Sequence, residues 1–336
     1  DGIRDIRSSR GLGDVYKRQA IDNFGDELFI SKSNKDVVSI KKINGYSVPN
    51  DRKKNTASVA GQALLDYLEI SQGFEIEINK NIKPGSGIGS SAASAVAAVY
   101  GINKLLDNPL KKEELLKFAM QGEFVSSKTA PADNVASALY GGIILVNNRE
   151  NYKVVKLPAP KNLFAIVHHP LIEIKTSESR VVLPKSIKLG IASDQLGAVG
   201  GFIHSLHTQD FDLMRTSLKD YLVEKYRADY VPFFNEIKSL AKINNTICCS
   251  ISGSGPSIFT LVNFCKSSIL NALVLIPSTY LPSLVTTATF LAGLFSIAGL
   301  TSFLSEGFRI ATSTAHAIIT PKIARGIYSC SIIFFS

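Results

Sequence analysis

The sequence has few cysteines, and none of them shows the spacing that binds zinc. Four of its 336 residues are cysteine, at positions 248, 249, 265 and 330, and no two form a CxxC pair. Without paired spacings, neither a zinc site nor a disulfide framework is expected. Cys248 and Cys249 lie in an apolar run, which predicts buried thiols and a reducing, cytoplasmic compartment.

The sequence also lacks a concentrated block of positive charge. Of the formal net charge of +9, residues 1–19 carry +2 and residues 264–336 carry +3, which leaves +4 for residues 20–263. The lysines of this middle segment are scattered among acidic residues, so a solvated surface is favoured and no nucleic-acid partner is expected. The first residues contain no apolar core of the kind that signal peptides have.

Residues 1–19 have no clear periodicity. They read DGIRDIRSSRGLGDVYKRQ and follow neither the helical nor the strand repeat of apolar positions. The stretch resembles a translated cloning adapter, and a native basic arm is the alternative. We therefore expect a non-native segment here.

Residues 264–336 form an apolar tail. No charged residue occurs between positions 267 and 305, and a run of this length can span a bilayer once or twice. Two interpretations stay open because hydropathy alone does not separate them, a membrane anchor and a reading-frame error. The frame error is favoured because Pro277 and Pro282 interrupt the run. A membrane contact is expected only if the run is genuine, and both chain ends are predicted to be aberrant.

Residues 20–263 alternate strand and helix signals without a strict βαβ order, which predicts an α+β fold with a mixed sheet. Apolar and alternating runs predict strands at Phe74–Ile78, Ile143–Val146, Leu163–Val167, Thr246–Ile251 and Ile258–Val262. Helices are predicted at Ala92–Leu106, at Glu113–Val125, in a segment capped by Asp133 that ends at Gly141-Gly142, and between Ile191 and Ile243.

A glycine-rich segment precedes the first of these helices. It consists of Pro84, Gly85, Ser86, Gly87, Ile88, Gly89, Ser90, Ser91 and Ala92. Three glycines in five residues let backbone N–H groups converge, and a helix N-terminus adds partial positive charge, so the segment suits a triphosphate. No Gly-Lys-Ser/Thr follows, so this is not a Walker A loop, and the acidic residue of a dinucleotide fingerprint is lacking. A plain strand-to-helix turn is the alternative.

Two oxygen-bearing residues are candidates for the metal that accompanies a phosphoryl donor. Magnesium prefers oxygen ligands and usually takes one or two from the protein. Ser91, at the helix start, and Glu123, late in the next helix, can supply them. Taken alone, Glu123 would more often be a surface charge.

Three further features can contact a polar substrate. Asp133 and Asn134 either cap a helix or reach a substrate amino or hydroxyl group. Residues 252–257, SGSGPS, form either a hairpin turn or one wall of a polar-ligand site. Arg180 and Arg227 are either surface residues or planar donors for a carboxylate, a role for which arginine suits better than lysine.

In this order, the motifs resemble the GHMP kinase superfamily. KPGSGIGSSAASA at 83–95, the helix that carries Glu123 and SGSGPS at 252–257 support the superfamily. GEFVSSKTAPADNVASALYGG at 122–142, SESRVVLP at 177–184 and YRADYVP at 226–232 are most similar to its homoserine kinases. The resemblance covers residues 20–263.

The resemblance implies a two-domain α+β fold. Its N-terminal, ATP-binding part would be like domain 2 of ribosomal protein S5 and span residues 20–150. Its C-terminal part would be ferredoxin-like and span residues 151–263. The resemblance also implies transfer of the ATP γ-phosphoryl group to the homoserine hydroxyl, with magnesium, in threonine biosynthesis, and makes a homodimer plausible.

The resemblance also implies roles for single residues. Residues 84–92 would bind the ATP phosphates, and Ser91 and Glu123 would contact magnesium. The acceptor would be held by Asp133, Asn134, Arg180, Arg227, Gly253, Ser254 and Gly255. Ser91, Glu123 and Arg180 would be the residues closest to the chemistry, and no general base is evident.

Three departures from the family pattern keep alternatives open. The family's first, Asn- and Asp-bearing loop is lacking before residues 20–28, Pro131 stands where the family usually has histidine, and no C-terminal helix or strand is evident after residue 261. The alternatives are a mevalonate- or sugar-type kinase, and an inactive or membrane-anchored nucleotide-binding protein. Arg180 and Arg227 favour a substrate with a carboxylate.

Overall fold

The computed structural model describes residues 3–7, 26–127, 132–147, 152–170, 172, 174, 179, 181–263, 308–313, 316–321 and 328–334. The predictions for Arg180, for the apolar run 267–305 and for most of residues 1–19 lie outside these residues. The chain divides into two compact units. The first comprises residues 1–157 and 173–177, and the second comprises residues 158–172 and 178–336.

The first unit contains a four-stranded mixed sheet. Its strands are β1 (Ile3–Arg7), β2 (Glu27–Ser33), β3 (Val38–Gly45) and β4 (Gly73–Lys80), in the order β1-β2-β4-β3. β2 runs antiparallel to β1 and β4, whereas β3 runs parallel to β4. The predicted mixed sheet is confirmed. β1 lies in a segment without strand periodicity, and its pairing with β2 places it at the sheet edge.

β4 shows why the sequence forms a strand here. Phe74, Ile76 and Ile78 are at most 1% exposed, while the alternating Glu75 and Glu77 are partly exposed. A period of two places all three apolar side chains on one face, which packs into the core. The predicted strand is therefore confirmed and extends to Lys80.

Four helices belong to the first unit: α1 (Thr56–Leu68), α2 (Ser90–Leu105), α3 (Leu116–Ser127) and α4 (Ala132–Tyr140). The hairpin of β5 (Ile143–Val146) and β6 (Val154–Leu157) follows them. α2 is buried over most of its surface, and its alanines let the neighbouring helices approach closely. The predicted helices are confirmed, although α3 starts after a 3₁₀ turn at Lys112–Leu115.

The expected capping role of Asp133 is wrong. α4 already begins at Ala132, so Asp133 lies in the first helical turn. Its Oδ1 accepts a hydrogen bond from the backbone N–H of the next residue, Asn134, at 2.8 Å. The end of α4 is as predicted, because Gly141 and Gly142 follow it with φ of 72° and 66°, which glycine adopts without steric cost.

The second unit contains an antiparallel sheet. Its strands are β7 (Leu163–Pro170), β8 (Cys248–Ile251), β9 (Ile258–Asn263) and β12 (Tyr328–Phe334), in the order β12-β7-β9-β8. A separate hairpin joins β10 (Phe308–Ser313) to β11 (His316–Pro321). The expectation that no strand follows β9 is wrong, since β12 pairs with β7 along seven residues of YSCSIIF, a β-favouring sequence.

The helices of the second unit are α5 (Leu189–Thr208), α6 (Phe211–Ser217), α7 (Glu224–Arg227) and α8 (Phe234–Ile243). They occupy the predicted helical region, Ile191 to Ile243, except that α5 begins two residues before it. Among the residues that the structure describes, no helix combines the length and the apolarity needed to cross a membrane.

The adjacent cysteines of β8 are buried thiols, as predicted. Cys248 and Cys249 are each 8% exposed and are not joined in a disulfide. Burial raises the pKa of the Cys249 thiol to about 12, so it stays protonated and a weak nucleophile at neutral pH.

His168 on β7 is expected to make stability depend on pH. The residue is 3% exposed, and burial lowers the pKa of its imidazole from 6.5 to about 4. Between these two values the unfolded chain takes up a proton that the folded chain excludes, so the free energy of unfolding falls as pH drops. The full loss by pH 4 is about 3 kcal/mol.

Urea unfolding of His168→Leu and of the wild type near pH 7.5 and near pH 5 measures this effect. The wild type should lose more stability than the variant on acidification. His207→Leu, at an exposed position of α5, should keep the wild-type pH dependence. Equal slopes for the wild type and His168→Leu would contradict the prediction.

Candidate active site

The glycine-rich loop before α2 places its glycines outward and its larger residues inward. Gly85, Gly87 and Gly89 have φ of 72°, 78° and 78°, which side-chain-bearing residues rarely adopt. Ser86, Ile88 and Ser90, which alternate with them, are at most 5% exposed. These three side chains of the loop are thus buried, while its glycines are at least partly exposed. The exposed part of the loop consists largely of backbone next to the positive end of α2, where an anion is favoured.

A buried polar cluster lies beneath this loop. Lys80, at the end of β4, forms an ion pair with Asp26 of 2.5 Å between Nζ and Oδ2. The same Nζ donates to the carbonyl oxygen of Ser90 at 3.0 Å and to Oγ of Ser94 at 2.8 Å. Oδ1 of Asp26 accepts from the backbone N–H of Ile82 at 3.1 Å. We name these four side chains, of Asp26, Lys80, Ser90 and Ser94, the loop-base cluster.

The hydroxyl of Ser90 lies beneath the loop. Its side chain is buried, and its Oγ lies 3.2 Å from the carbonyl oxygen of Ile82 and 3.4 Å from Oδ2 of Asp26. The hydroxyl thus joins the two ends of the loop from below. A phosphate contact by Ser90 would come from its backbone N–H.

Thr56 lies near both Ser91 and Gly122, the residue before Glu123. The hydroxyl of Thr56, at the start of α1, donates to the carbonyl oxygen of Ser91 at 3.4 Å. The carbonyl oxygen of Thr56 in turn lies 2.4 Å from where a Cβ on Gly122 would be. Glu123 is the next residue of α3 and is 4% exposed. Glu123 is buried, so its interpretation as a surface charge is wrong.

α4 brings a predicted acceptor residue to the loop. A Cβ built on Gly89 would lie 3.6 Å from Oδ1 of Asn134. Asp133 and Asn134 are both partly exposed. Gly89 of the glycine-rich loop and Asn134 of α4 therefore lie close together at the start of α2.

The second glycine-rich turn belongs to the second unit and connects β8 to β9. Ser252 and Ser257 are buried, and the N–H of Ser252 donates to the carbonyl oxygen of Ser257 at 2.8 Å. Gly253 and Gly255 have φ of 57° and 81°, and Ser254 between them is partly exposed. The hairpin interpretation is geometrically correct.

Arg227 and His169 support this turn. The guanidinium of Arg227 is 6% exposed, and it donates to the carbonyl oxygens of Gly253 at 2.7 Å and Ser179 at 3.3 Å. Nδ1 of His169 lies 2.9 Å from Oγ of Ser257. Arg227 is thus no routine surface residue. It holds the backbone of the turn, a role that the sequence did not indicate.

Four comparisons with known proteins extend these observations. The family model described as the GHMP kinases N terminal domain matches residues 55–142. A homoserine kinase of Chlorobium phaeobacteroides is 40% identical over 252 residues, which cover 71% of this chain and 79% of the relative. The crystal structure of a homoserine kinase from Cytophaga hutchinsonii has a TM-score of 0.78 and 41% identity, covering 82% of this chain and 89% of that one.

The mevalonate kinase of Methanococcus jannaschii shares the fold at a greater distance. Its crystal structure has a TM-score of 0.58 and 18% identity, covering 78% of this chain and 90% of that one. These neighbours confirm the predicted α+β fold of GHMP kinases.

Proposed function

This chain belongs to the homoserine kinases of the GHMP kinase family, and on that premise we propose which of its residues carry out the reaction. The reaction is ATP-dependent phosphorylation of the side-chain hydroxyl of L-homoserine to O-phospho-L-homoserine, a step of threonine biosynthesis. The observation that carries the proposal is the loop of three left-handed glycines at the start of α2, beside Asn134.

ATP binds through residues 84–92 in this proposal. The backbone N–H groups on the outer face of the loop and the positive end of α2 contact the phosphates. Phosphoryl transfer needs little covalent help from the protein, so catalysis consists mainly of aligning donor and acceptor and stabilising charge. We name no general base.

Ser91 and Glu123 fit the magnesium ion that accompanies ATP. Both offer oxygen, the ligand type that magnesium prefers. The assignment is supported by Thr56, whose hydroxyl donates to the carbonyl oxygen of Ser91 and whose own carbonyl oxygen lies near Gly122, the residue before Glu123. A bound magnesium ion supplies positive charge that offsets the charge of the phosphates.

We propose the homoserine contacts residue by residue. Asp133 and Asn134 would contact the amino or hydroxyl group, since they lie on the first turn of α4 beside the loop. Arg180 and Arg227 would hold the carboxylate, with Gly253, Ser254 and Gly255 as further contacts. Arg227 has five N–H donors. One donates to the carbonyl oxygen of Gly253 in the turn and another to that of Ser179, so Arg227 would bind the carboxylate and shape the turn together.

Further proposals concern the organisation of the whole protein. We assign residues 20–150 to the ATP-binding domain and residues 151–263 to the C-terminal domain. A homodimer and a cytoplasmic location also belong to the proposal, and the free thiols of Cys248 and Cys249 support a reducing compartment.

A coupled ADP-release assay on the full chain tests the substrate. We expect turnover with ATP and homoserine, and background rates with mevalonate and galactose, because only homoserine offers both the carboxylate and the amino group that the proposed contacts bind. Omitting homoserine controls for ATP hydrolysis. Absence of homoserine-dependent turnover, or equal rates with all three alcohols, would overturn the proposal.

A further inference from the structure

We propose that Asp26 and Lys80 are positioning residues, whose buried ion pair holds the phosphate loop in its ATP-binding conformation. The proposal rests on the function proposed above and concerns two residues that touch neither phosphate nor homoserine. The loop-base cluster carries the argument.

Burying the Asp26–Lys80 ion pair costs free energy. Asp26 is 0% exposed and Lys80 is 3% exposed. Removing two charges from water costs several kcal/mol, and apolar residues of the same volume commonly stabilise a fold equally well or better. A buried ion pair is therefore weak evidence for stability, and the position of its contacts indicates what else it does.

The ion pair connects the segment before the loop to the segment after it. Asp26 accepts from the N–H of Ile82 before the loop, and Lys80 donates to the carbonyl oxygen of Ser90 after the loop. The Oγ of Ser90 lies close to the carbonyl oxygen of Ile82 as well. The two ends of residues 83–89 are thus fixed to the same pair of charges, and the loop between them has little freedom to open.

The ion pair adds no net charge at the start of α2. A lone ammonium group near a helix N-terminus opposes the helix dipole, and a lone carboxylate there would repel a triphosphate. Asp26 and Lys80 offset one another, so the loop keeps its own positive potential for the anion. Since glycine is conformationally permissive, Gly85, Gly87 and Gly89 need this external constraint to keep their φ values.

The direct test measures ATP affinity by calorimetry, separately from turnover. Asp26→Asn keeps the size and an acceptor for Ile82 but removes the ion pair. We expect its Kd for magnesium-ATP, and its KM for ATP, to rise roughly tenfold or more, as for the loss of a charged hydrogen bond. The KM for homoserine should change less than about threefold, within the context-dependence of one lost neutral contact.

A double variant separates positioning from stability. Asp26→Leu combined with Lys80→Met replaces the pair by apolar side chains, so its unfolding midpoint in urea should be close to that of the wild type. Its affinity for ATP should nevertheless stay roughly tenfold weaker. Wild-type ATP affinity in this folded double variant would overturn the proposal, because the pair would then be only structural.

A milder variant, Ser94→Ala, tests the positioning role if the charge variants do not fold. Ser94→Ala removes the hydroxyl that Lys80 contacts, and alanine is the best helix former. We expect its Kd for ATP to rise about threefold or more. Ser205→Ala is the matched control, since Ser205 is also a buried helical serine that donates to a backbone carbonyl, in α5. Equal ATP affinity in Ser94→Ala and Ser205→Ala would overturn the proposal.

The measurements distinguish this proposal from the function on which it rests. ATP binding by the wild type without homoserine turnover, with weaker binding in Asp26→Asn, would overturn the substrate and support the positioning role. Normal turnover in the wild type with unchanged ATP affinity in all folded variants would support the substrate and overturn the positioning role. A wild-type chain that does not bind ATP would overturn both.

Discussion

Replacing Gly122 by alanine is expected to destabilise the first unit by about 3 kcal/mol, the upper end of the range for overpacking a core. A Cβ at this position would lie 2.4 Å from the carbonyl oxygen of Thr56, 2.7 Å from Cβ of Ala60 and 3.1 Å from Cβ of Ala95. All three atoms belong to α1 or α2, which pack against α3, and one of them is a backbone oxygen. None can turn away as a flexible side chain would, so helices must separate. Urea unfolding followed by circular dichroism measures the loss.

Gly197 in α5 provides the matched control for this substitution. It is also a glycine within a helix, but a Cβ there would meet nothing within 4 Å. Gly197→Ala should therefore stabilise the chain by up to about 1 kcal/mol through helix propensity alone. If both substitutions change stability by the same amount, the close packing around Gly122 is not the cause.

Replacing Glu123 by glutamine is expected to lower kcat on the order of 100-fold while the fold is retained. Glutamine has nearly the same shape, so the packing of α3 is kept. The variant loses the negative charge that would hold magnesium beside the phosphates. Activity should recover in part at high magnesium concentration, since a weaker site fills when more metal is present. Steady-state kinetics over a magnesium titration measures both effects.

Glu113→Gln is the matched control for Glu123→Gln. Glu113 is an exposed carboxylate in the 3₁₀ turn before α3, so its replacement should leave kcat and the magnesium dependence as in the wild type. A Glu123→Gln variant with wild-type kcat at low magnesium would contradict the metal role. So would a variant that loses activity only because it unfolds, which the circular dichroism spectrum shows.

The parts of the fold that could be predicted from sequence are those whose signals are local. The alternation of Phe74, Ile76 and Ile78 predicts β4 because a strand repeats every two residues. The run of glycines before an alanine-rich segment predicts the loop and α2, because backbone freedom and helix propensity act within a few residues.

The parts that could not be predicted depend on residues distant in sequence. Asp26 and Lys80 are 54 positions apart, and each resembles an ordinary surface charge when read alone. Strand pairing also joins segments that are distant in sequence, as when β12 pairs with β7, so the sequence alone does not predict it. Arg227 was read as a ligand contact because its motif resembles a family pattern, and its bonds to backbone carbonyls need the folded turn to be visible.

One error had a local cause. Asp133 was expected to cap α4 because aspartate is favoured at that position. The helix begins at Ala132, two residues before the start that a cap at Asp133 would set, and the same side chain accepts from the N–H of Asn134 instead. Helix ends are decided by a competition among neighbouring polar groups, in which a shift of one residue changes the role of each.

The outward glycines of the loop at residues 84–92 affect nucleotide selectivity in the proposed site. A surface made of main chain is the same whichever base a nucleotide carries, so in the proposed site Gly85, Gly87 and Gly89 would contact the polyphosphate and would not distinguish one purine from another. Preference for ATP over GTP must then come from side chains elsewhere. An engineer who wishes to change the donor would leave this loop intact and alter the residues that contact the base.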